Sequence, residues 1–257
     1  MGRVEGKVAL VSGGASGLGL ASARRLAQEG ATVIIGDINE EQGRAAAADI
    51  PGASFVVLDV TSEQAFSDAI DAVVAGHGRL DVLFNCAGVV RLASIEDTTE
   101  DIWRLVNAVG TDGTFYGCKH ALRVMKAAGA GSIINMCSTA SISGGQGIFA
   151  YVASKSAIRG MTRSIAVLST QEGYGVRCNS VHPGNMDTPM LRGVQDIVRS
   201  NNPEAAAGME KVWVGEPGDV ANMVLFLASD ESRAVNGAAM VVDNTMSLTE
   251  GAVPRQE

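Results

Sequence analysis

No block of lysine or arginine occurs in this chain, and 20 basic side chains are outnumbered by 28 acidic ones, for a net charge of -8. Nucleic acid and anionic membrane surfaces select basic patches, so neither is an expected partner. Long apolar runs are missing too. None approaches the length that spans a bilayer, and the opening Met1-Gly2-Arg3-Val4-Glu5-Gly6-Lys7 lacks the apolar region of a signal peptide. Cys86, Cys118, Cys137 and Cys178 form no Cys-x-x-Cys pair, which argues against disulfides and metal sites and for thiols kept reduced in the cytoplasm. His77, His120 and His182 have no ligand spacing, and no metal is expected. What remains, 257 residues of which 46% are apolar, suits one α/β domain with an ample core.

The first positive signal is a strand, a glycine loop and a helix. Val8-Ala9-Leu10-Val11 is the short apolar run that a buried parallel strand needs. It empties into Ser12-Gly13-Gly14-Ala15-Ser16-Gly17-Leu18-Gly19, then an Ala/Leu-rich helix that Gly30 can terminate. Such a turn presents backbone N–H groups and a positive helix end to a phosphate. The spacing is Gly-x-x-x-Gly-x-Gly, not the common Gly-x-Gly-x-x-Gly. The next strand, from Thr32 to Gly36, ends on Asp37, near where dinucleotide folds place an acid on the adenosine ribose diol. That carboxylate repels a 2′-phosphate, and neither Ile38 nor Ala15 and Ser16 offers a cation to receive one. NAD is expected over NADP.

Alternation continues without linker, repeat or low-complexity tract. Helices are expected from Asn39 to Asp49, from a Thr61-Ser62 cap to Gly76, from Glu100 to Ala127, and through Val220, Met223, Val224 and Leu227. Strands are expected at 54–58, 81–84, 132–136, 177–181 and 239–242. This pattern implies right-handed crossovers and a single-domain α/β fold: a Rossmann-like, doubly wound parallel sheet of about seven strands, helices on both faces. Ligands bind beyond the carboxyl ends of such strands. The glycine loop, Asp37, Asp59, Asn85 to Gly88, Ser138 and Pro183-Gly184 all fall at those ends.

The chemistry is expected at Tyr151-Val152-Ala153-Ser154-Lys155. Near the start of a helix, Tyr151 and Lys155 lie one turn apart on one face. A free tyrosine titrates at about 10, and a neighbouring ammonium draws that value toward the working range. Ser138 supplies a hydrogen bond for a carbonyl oxygen. Together the three protonate a ketone or deprotonate an alcohol, given a hydride carrier nearby.

These motifs resemble the short-chain dehydrogenase/reductase family over essentially the whole chain. Ser12-Gly13-x-x-x-Gly17-x-Gly19 is similar to its cofactor loop, with serine where threonine is usual. Asn85-Cys86-Ala87-Gly88 resembles its Asn-Asn-Ala-Gly strand end, and Ser138, Tyr151 and Lys155 stand at its catalytic spacing. The resemblance implies that Tyr151 is the acid/base, that Ser138 orients the carbonyl, and that Lys155 lowers the tyrosine pKa and grips the nicotinamide ribose. It implies NAD contacts from Gly13, Ser16, Gly17, Leu18, Gly19, Asp37, Ile38, Asp59, Val60, Asn85, Ala87, Gly88, Tyr151, Lys155, Pro183, Gly184, Met186 and Thr188. A homotetramer built through the fourth and fifth helices is implied as well.

The chain departs from the family twice. Counting back from Gly113-Thr114-Phe115, the catalytic asparagine position holds Gly110, with Asn107 one turn earlier. Val242-Asp243-Asn244-Thr245 replaces a Val-Asp-Gly-Gly turn. Residues 185–213 are long enough for a helical lid, with Met186, Met190, Leu191, Val194, Ile197 and Val198 as its apolar members. Ala140, Ile142, Gln146, Ile148 and Phe149 are further wall candidates. Arg91, Arg192 and Arg199 read equally as solvated charges. The expected function is an NAD-dependent oxidoreductase for a neutral, hydrophobic secondary alcohol or its ketone: alicyclic, terpenoid or steroid-like. The alternatives are a reductase of 3-oxoacyl thioesters, a sugar-nucleotide epimerase or dehydratase, and a dinucleotide-binding regulator with little turnover.

Overall fold

Val8, Ala9, Leu10 and Val11 are buried on both faces, so the run they form has to be a central strand. In the computed structural model, which describes residues 2–209 and 212–249, it is β1 (Val8–Ser12). The others are β2 (Thr32–Asp37), β3 (Ser54–Val57), β4 (Val82–Asn85), β5 (Gly131–Met136), β6 (Val176–Pro183) and β7 (Ala239–Val242). Their order is β3-β2-β1-β4-β5-β6-β7, every pair parallel. Ser12 is level with Gly36 and Asn85, Asn85 with Asn135, and Asn135 with Ser180. That register lines up the carboxyl ends of the strands along one edge, with the order reversing between β1 and β4.

Side-chain alternation divides the core in two. Ala9 and Val11 face α1 (Gly17–Gln28), α2 (Glu40–Ala48) and α10 (Pro217–Ala228) through Leu26, Ala46, Val220 and Val224. Val8 and Leu10 face α3 (Glu63–His77), α5 (Gly113–Ala128) and α7 (Phe149–Gln171) through Phe66, Ile70, Met125 and Ala166. Each of the larger ones (Val, Leu, Ile, Phe, Met) contributes about 1.5–3 kcal/mol of burial. Ser62, not Thr61, caps α3 by accepting the Ala65 N–H at 3.2 Å; the Thr61 hydroxyl donates to Asp59. Among the described residues no helix is long and apolar enough to cross a membrane.

The structure corrects the single helix expected from Glu100 to Ala127. α4 (Glu100–Asn107) and α5 are joined by a π turn at Ala108–Asp112, where the Gly113 N–H reaches back five residues to the Ala108 carbonyl. Ser154 packs across the turn. A Cβ on Gly110 would sit 2.3 Å from Ser154 Oγ, so that hydroxyl occupies the space a side chain would need. The Thr111 hydroxyl lies 3.0 Å from both Ser154 Oγ and Asn107 Oδ1, tying the turn to α7.

The second departure also has a defined shape. Asn244 and Thr245 have φ of 46° and 67°, and the Met246 N–H donates to the Asp243 carbonyl at 3.0 Å. Two left-handed residues closed by that bond form a type I′ turn, so the glycine conformation survives without glycine. Asp243 holds it by accepting the N–H groups of Thr245 and Ser247. The remaining helices are α6 (Ala140–Ser143), α8 (Pro189–Asn201) and α9 (Pro203–Met209); the last two occupy the expected lid segment.

Candidate active site

One cleft of about 760 Å³ follows the carboxyl edge of the sheet. Its first wall is the turn after β1. Gly13 has a φ of +65°, and a Cβ there would lie 2.8 Å from the Ala87 backbone. A Cβ on Gly19 would lie 2.1 Å from the Gly13 carbonyl oxygen, so only glycine lets α1 start this close to the strand. Ser16 stands at the N-cap without a side-chain bond, leaving the first turn of α1 open on the cleft wall. These residues make a phosphate cradle at a positive helix end. At the end of β2, Asp37 is held by the N–H groups of Ala15 and Asn39, both at 3.0 Å. Ile38 beside it is 69% exposed. Asp59, Val60, Ala87 and Gly88 complete this half.

Asn85, expected on the cofactor, is turned the other way. Its side chain is buried beneath the strand end and donates to Asn135 Oδ1 at 2.9 Å, while its own Oδ1 lacks a partner. Gly117 passes beneath that oxygen: a Cβ there would be 2.2 Å from it. Asn85 is not among the residues that line the cleft; the other expected cofactor contacts are, Pro183, Gly184, Met186 and Thr188 included.

The second half carries the reactive groups. α7 starts at Phe149, which puts Tyr151 and Lys155 one turn apart with both side chains on the cleft. Lys155 is 3% exposed, and its Nζ donates to the Met136 carbonyl at 2.8 Å. Ser138 Oγ, just beyond the end of β5, accepts the Ala140 N–H at 3.1 Å and lies near enough to Tyr151 to draw its pKa down. The expected drop in the Tyr151 pKa is not found. Burial pushes the phenol up to about 12, against the downward pull of Ser138. Burial likewise lowers Lys155, weakening the ammonium that was expected to act on it.

Of the wall candidates, Ala140 and Ile148 line the cleft, whereas Ile142, Gln146 and Phe149 do not. The lid contributes Met190, Leu191 and Val194; Ile197 is half exposed on its outer side. Arg192 is paired with Asp187, Arg199 with Asp196, and Arg91 donates to the Val90 carbonyl. Lys155 is the only cation among the described residues lining the cleft. Sequence reasoning missed Leu105, Val109 and Met246. The first two recur at i and i+4, a pattern that was legible. Nothing local marks Met246, which the type I′ turn folds back over Gly184: a Cβ there would meet its methyl at 2.9 Å.

A glycine-cradled helix end, an acid on the second strand and a Ser-Tyr-Lys cluster in one cleft define a nucleotide-dependent oxidoreductase class, and comparison with known proteins agrees. Residues 13–247 match the family model described as enoyl-(acyl carrier protein) reductase. The chain is 43% identical over 244 residues to a 3-alpha-(or 20-beta)-hydroxysteroid dehydrogenase of Mycobacterium tuberculosis (strain CDC 1551 / Oshkosh), covering 94% of this chain and 90% of that one. It is 40% identical over 250 residues to a cyclopentanol dehydrogenase of Comamonas sp. (strain NCIMB 9872), covering 95% and 98%. The crystal structure of levodione reductase superposes with a TM-score of 0.91 at 31% identity, covering 96% of this chain and 100% of that one. The chain belongs to the short-chain dehydrogenase/reductase family, whose members use nicotinamide dinucleotide cofactors.

Proposed function

We propose that this protein is an NAD-dependent alcohol dehydrogenase/ketone reductase acting on neutral alicyclic secondary alcohols, steroid-like ones included. One observation carries the reading: Ser138, Tyr151 and Lys155 line the same cleft as the glycine turn and Asp37. A nicotinamide dinucleotide held by the glycine turn and Asp37 would supply the hydride chemistry at the carbinol carbon. Tyr151 Oη takes or gives the hydroxyl proton, Ser138 Oγ donates to the substrate oxygen, and Lys155 keeps a positive charge beside both. Alcohol and NAD thus become ketone, NADH and one proton.

Asp37 supports NAD, since its carboxylate stands where a 2′-phosphate would be repelled and no cation among the described residues lines the cleft at that end. A neutral substrate is favoured because Lys155 is the only cation among the described residues lining the cleft, and it is already committed to the Met136 carbonyl. The apolar wall of Val89, Leu105, Val109, Ile148 and Leu191 suits a ring system. Four free thiols, three of them buried, suit the cytoplasm. Exposed Trp103, Phe115, Val167 and Leu168 on α4, α5 and α7 suit a homotetramer. The deciding experiment follows NADH appearance across cyclopentanol, cyclohexanols and hydroxysteroids, with Tyr151→Phe as control. Failure of every alcohol, or equal turnover by Tyr151→Phe, would overturn the proposal.

A further inference from the structure

His182, just before Pro183 on β6, is fully buried, yet no step above uses it. Its Nδ1 lies 3.2 Å from the carbonyl oxygen of Ser138 and 3.1 Å from Ser141 Oγ, and its Nε2 lies 2.8 Å from Ser180 Oγ. These contacts assign the tautomer. The Ser138 carbonyl can only accept, so Nδ1 carries the hydrogen. Ser141 points its own hydrogen at the same carbonyl, at 2.8 Å, which leaves its oxygen free to accept from Nδ1 as well. Nε2 is then the acceptor for the Ser180 hydroxyl at 2.8 Å, a shorter contact than the alternative one from Ser180 Oγ to the Ala238 carbonyl at 3.3 Å. Burial lowers the imidazole pKa to about 4, so the ring stays neutral at working pH.

We propose that His182 is the positioning residue of Ser138. Its Nδ1–H anchors the serine carbonyl and so sets the direction of the serine hydroxyl. The need for an anchor is local. Ser138 lies beyond the end of β5, between two ladder-type bonds to β6, Cys137 N–H to Val181 O at 2.7 Å and Thr139 N–H to Pro183 O at 3.0 Å, whereas its own carbonyl leaves the ladder for the Ser141 N–H, Ser141 Oγ and His182. Beyond Ser138 the chain turns into α6, and a hydroxyl that must meet a carbonyl oxygen tolerates little drift. His182 answers this from β6, whose end also carries Pro183-Gly184 into the cleft. One side chain therefore ties the proposed carbonyl donor to the strand bordering the cofactor side. This assignment rests on the proposed role of Ser138.

The test uses the amide isosteres. Asparagine places an N–H near the Nδ1 position, whereas glutamine reaches toward the Nε2 position. With a reactive secondary alcohol, His182→Gln and His182→Leu are expected to lower kcat by about tenfold or more, and His182→Asn by less than about threefold. The NADH Kd should stay within about twofold in all three, because no proposed cofactor contact is removed. A merely structural histidine would not separate asparagine from glutamine. Equal kcat for those two variants, or NADH affinity falling in step with kcat, would overturn the assignment. Nitrogen-15 NMR of the wild-type histidines gives a reading independent of variant folding: Nδ1 protonated at neutral pH supports the inference, and Nε2 protonated refutes it. Ser138→Ala runs alongside. If it retains turnover, the reading of the site fails; if it is inactive while His182→Gln is not, only the role of His182 fails.

Discussion

The ammonium of Lys155 stands 5.4 Å from the centroid of the Tyr151 ring, yet it binds the Met136 carbonyl rather than the phenol. Desolvation therefore governs both groups, raising the tyrosine and lowering the lysine. An oxidised nicotinamide brings a cation into the same space, and a cation favours the phenolate. Ultraviolet difference titration should find the Tyr151 phenolate forming only near pH 12 without cofactor. Alcohol oxidation, which reports the cofactor-bound state, should rise through a lower apparent pKa. Tyr151→Phe should abolish turnover and leave NADH binding nearly unchanged. An oxidation profile still climbing at pH 12 would refute this account.

Cofactor choice should turn on Asp37. Asp37→Ala removes an acceptor held by the Ala15 and Asn39 N–H groups, so NAD should bind more weakly, by about 1–3 kcal/mol. Adding Ile38→Arg at that exposed position should admit NADP. Steady-state kinetics with both cofactors decides it, and equal wild-type use of NAD and NADP would contradict the prediction.

Gly110 should resist a side chain for a packing reason. Gly110→Asn forces Ser154 Oγ off Thr111 and should cost about 1–3 kcal/mol in chemical unfolding. With Ser154→Ala the nearest atom becomes a Cβ at 3.5 Å, an ordinary contact, so the double variant should recover most of that loss. Turnover of the double variant should remain within about tenfold of wild type. A gain of several orders of magnitude would mean that the natural glycine disables the enzyme.

Thr245 holds a φ of 67°, unfavourable for a β-branched residue. Thr245→Gly relieves strain of about 1–3 kcal/mol while losing about 0.5–1 kcal/mol to the freer unfolded chain. The variant should melt higher than wild type by calorimetry. A lower melting temperature would show that the threonine side chain contributes more than its backbone costs.

His182 should make the fold acid-sensitive. Its folded pKa of about 4 lies below the ordinary 6.5, so the unfolded chain binds the extra proton. The stability this represents is present above pH 6.5 and is lost as pH falls from there toward 4, by about 3 kcal/mol at most. Unfolding free energies from neutral pH to pH 4 should therefore fall less steeply in His182→Asn than in wild type.

The sequence alone determined the alternating strands and helices, because apolar runs and helical periodicity are local signals of burial. It also determined the glycine turn, Asp37 and the Tyr151/Lys155 pair, since each depends on short-range spacing. Tertiary structure alone decided the rest. Asn85 reads as a strand-end ligand, but Gly117 leaves room beneath the sheet and Asn135 offers a partner there. The π turn packs on Ser154, which is remote in sequence from Gly110 and leaves no room there for a side chain. Met246 reaches the cleft only because Asp243 holds two residues left-handed. The pKa of Tyr151 was misjudged for the same reason. Spacing along a helix reveals a neighbouring charge, whereas desolvation depends on everything folded around it.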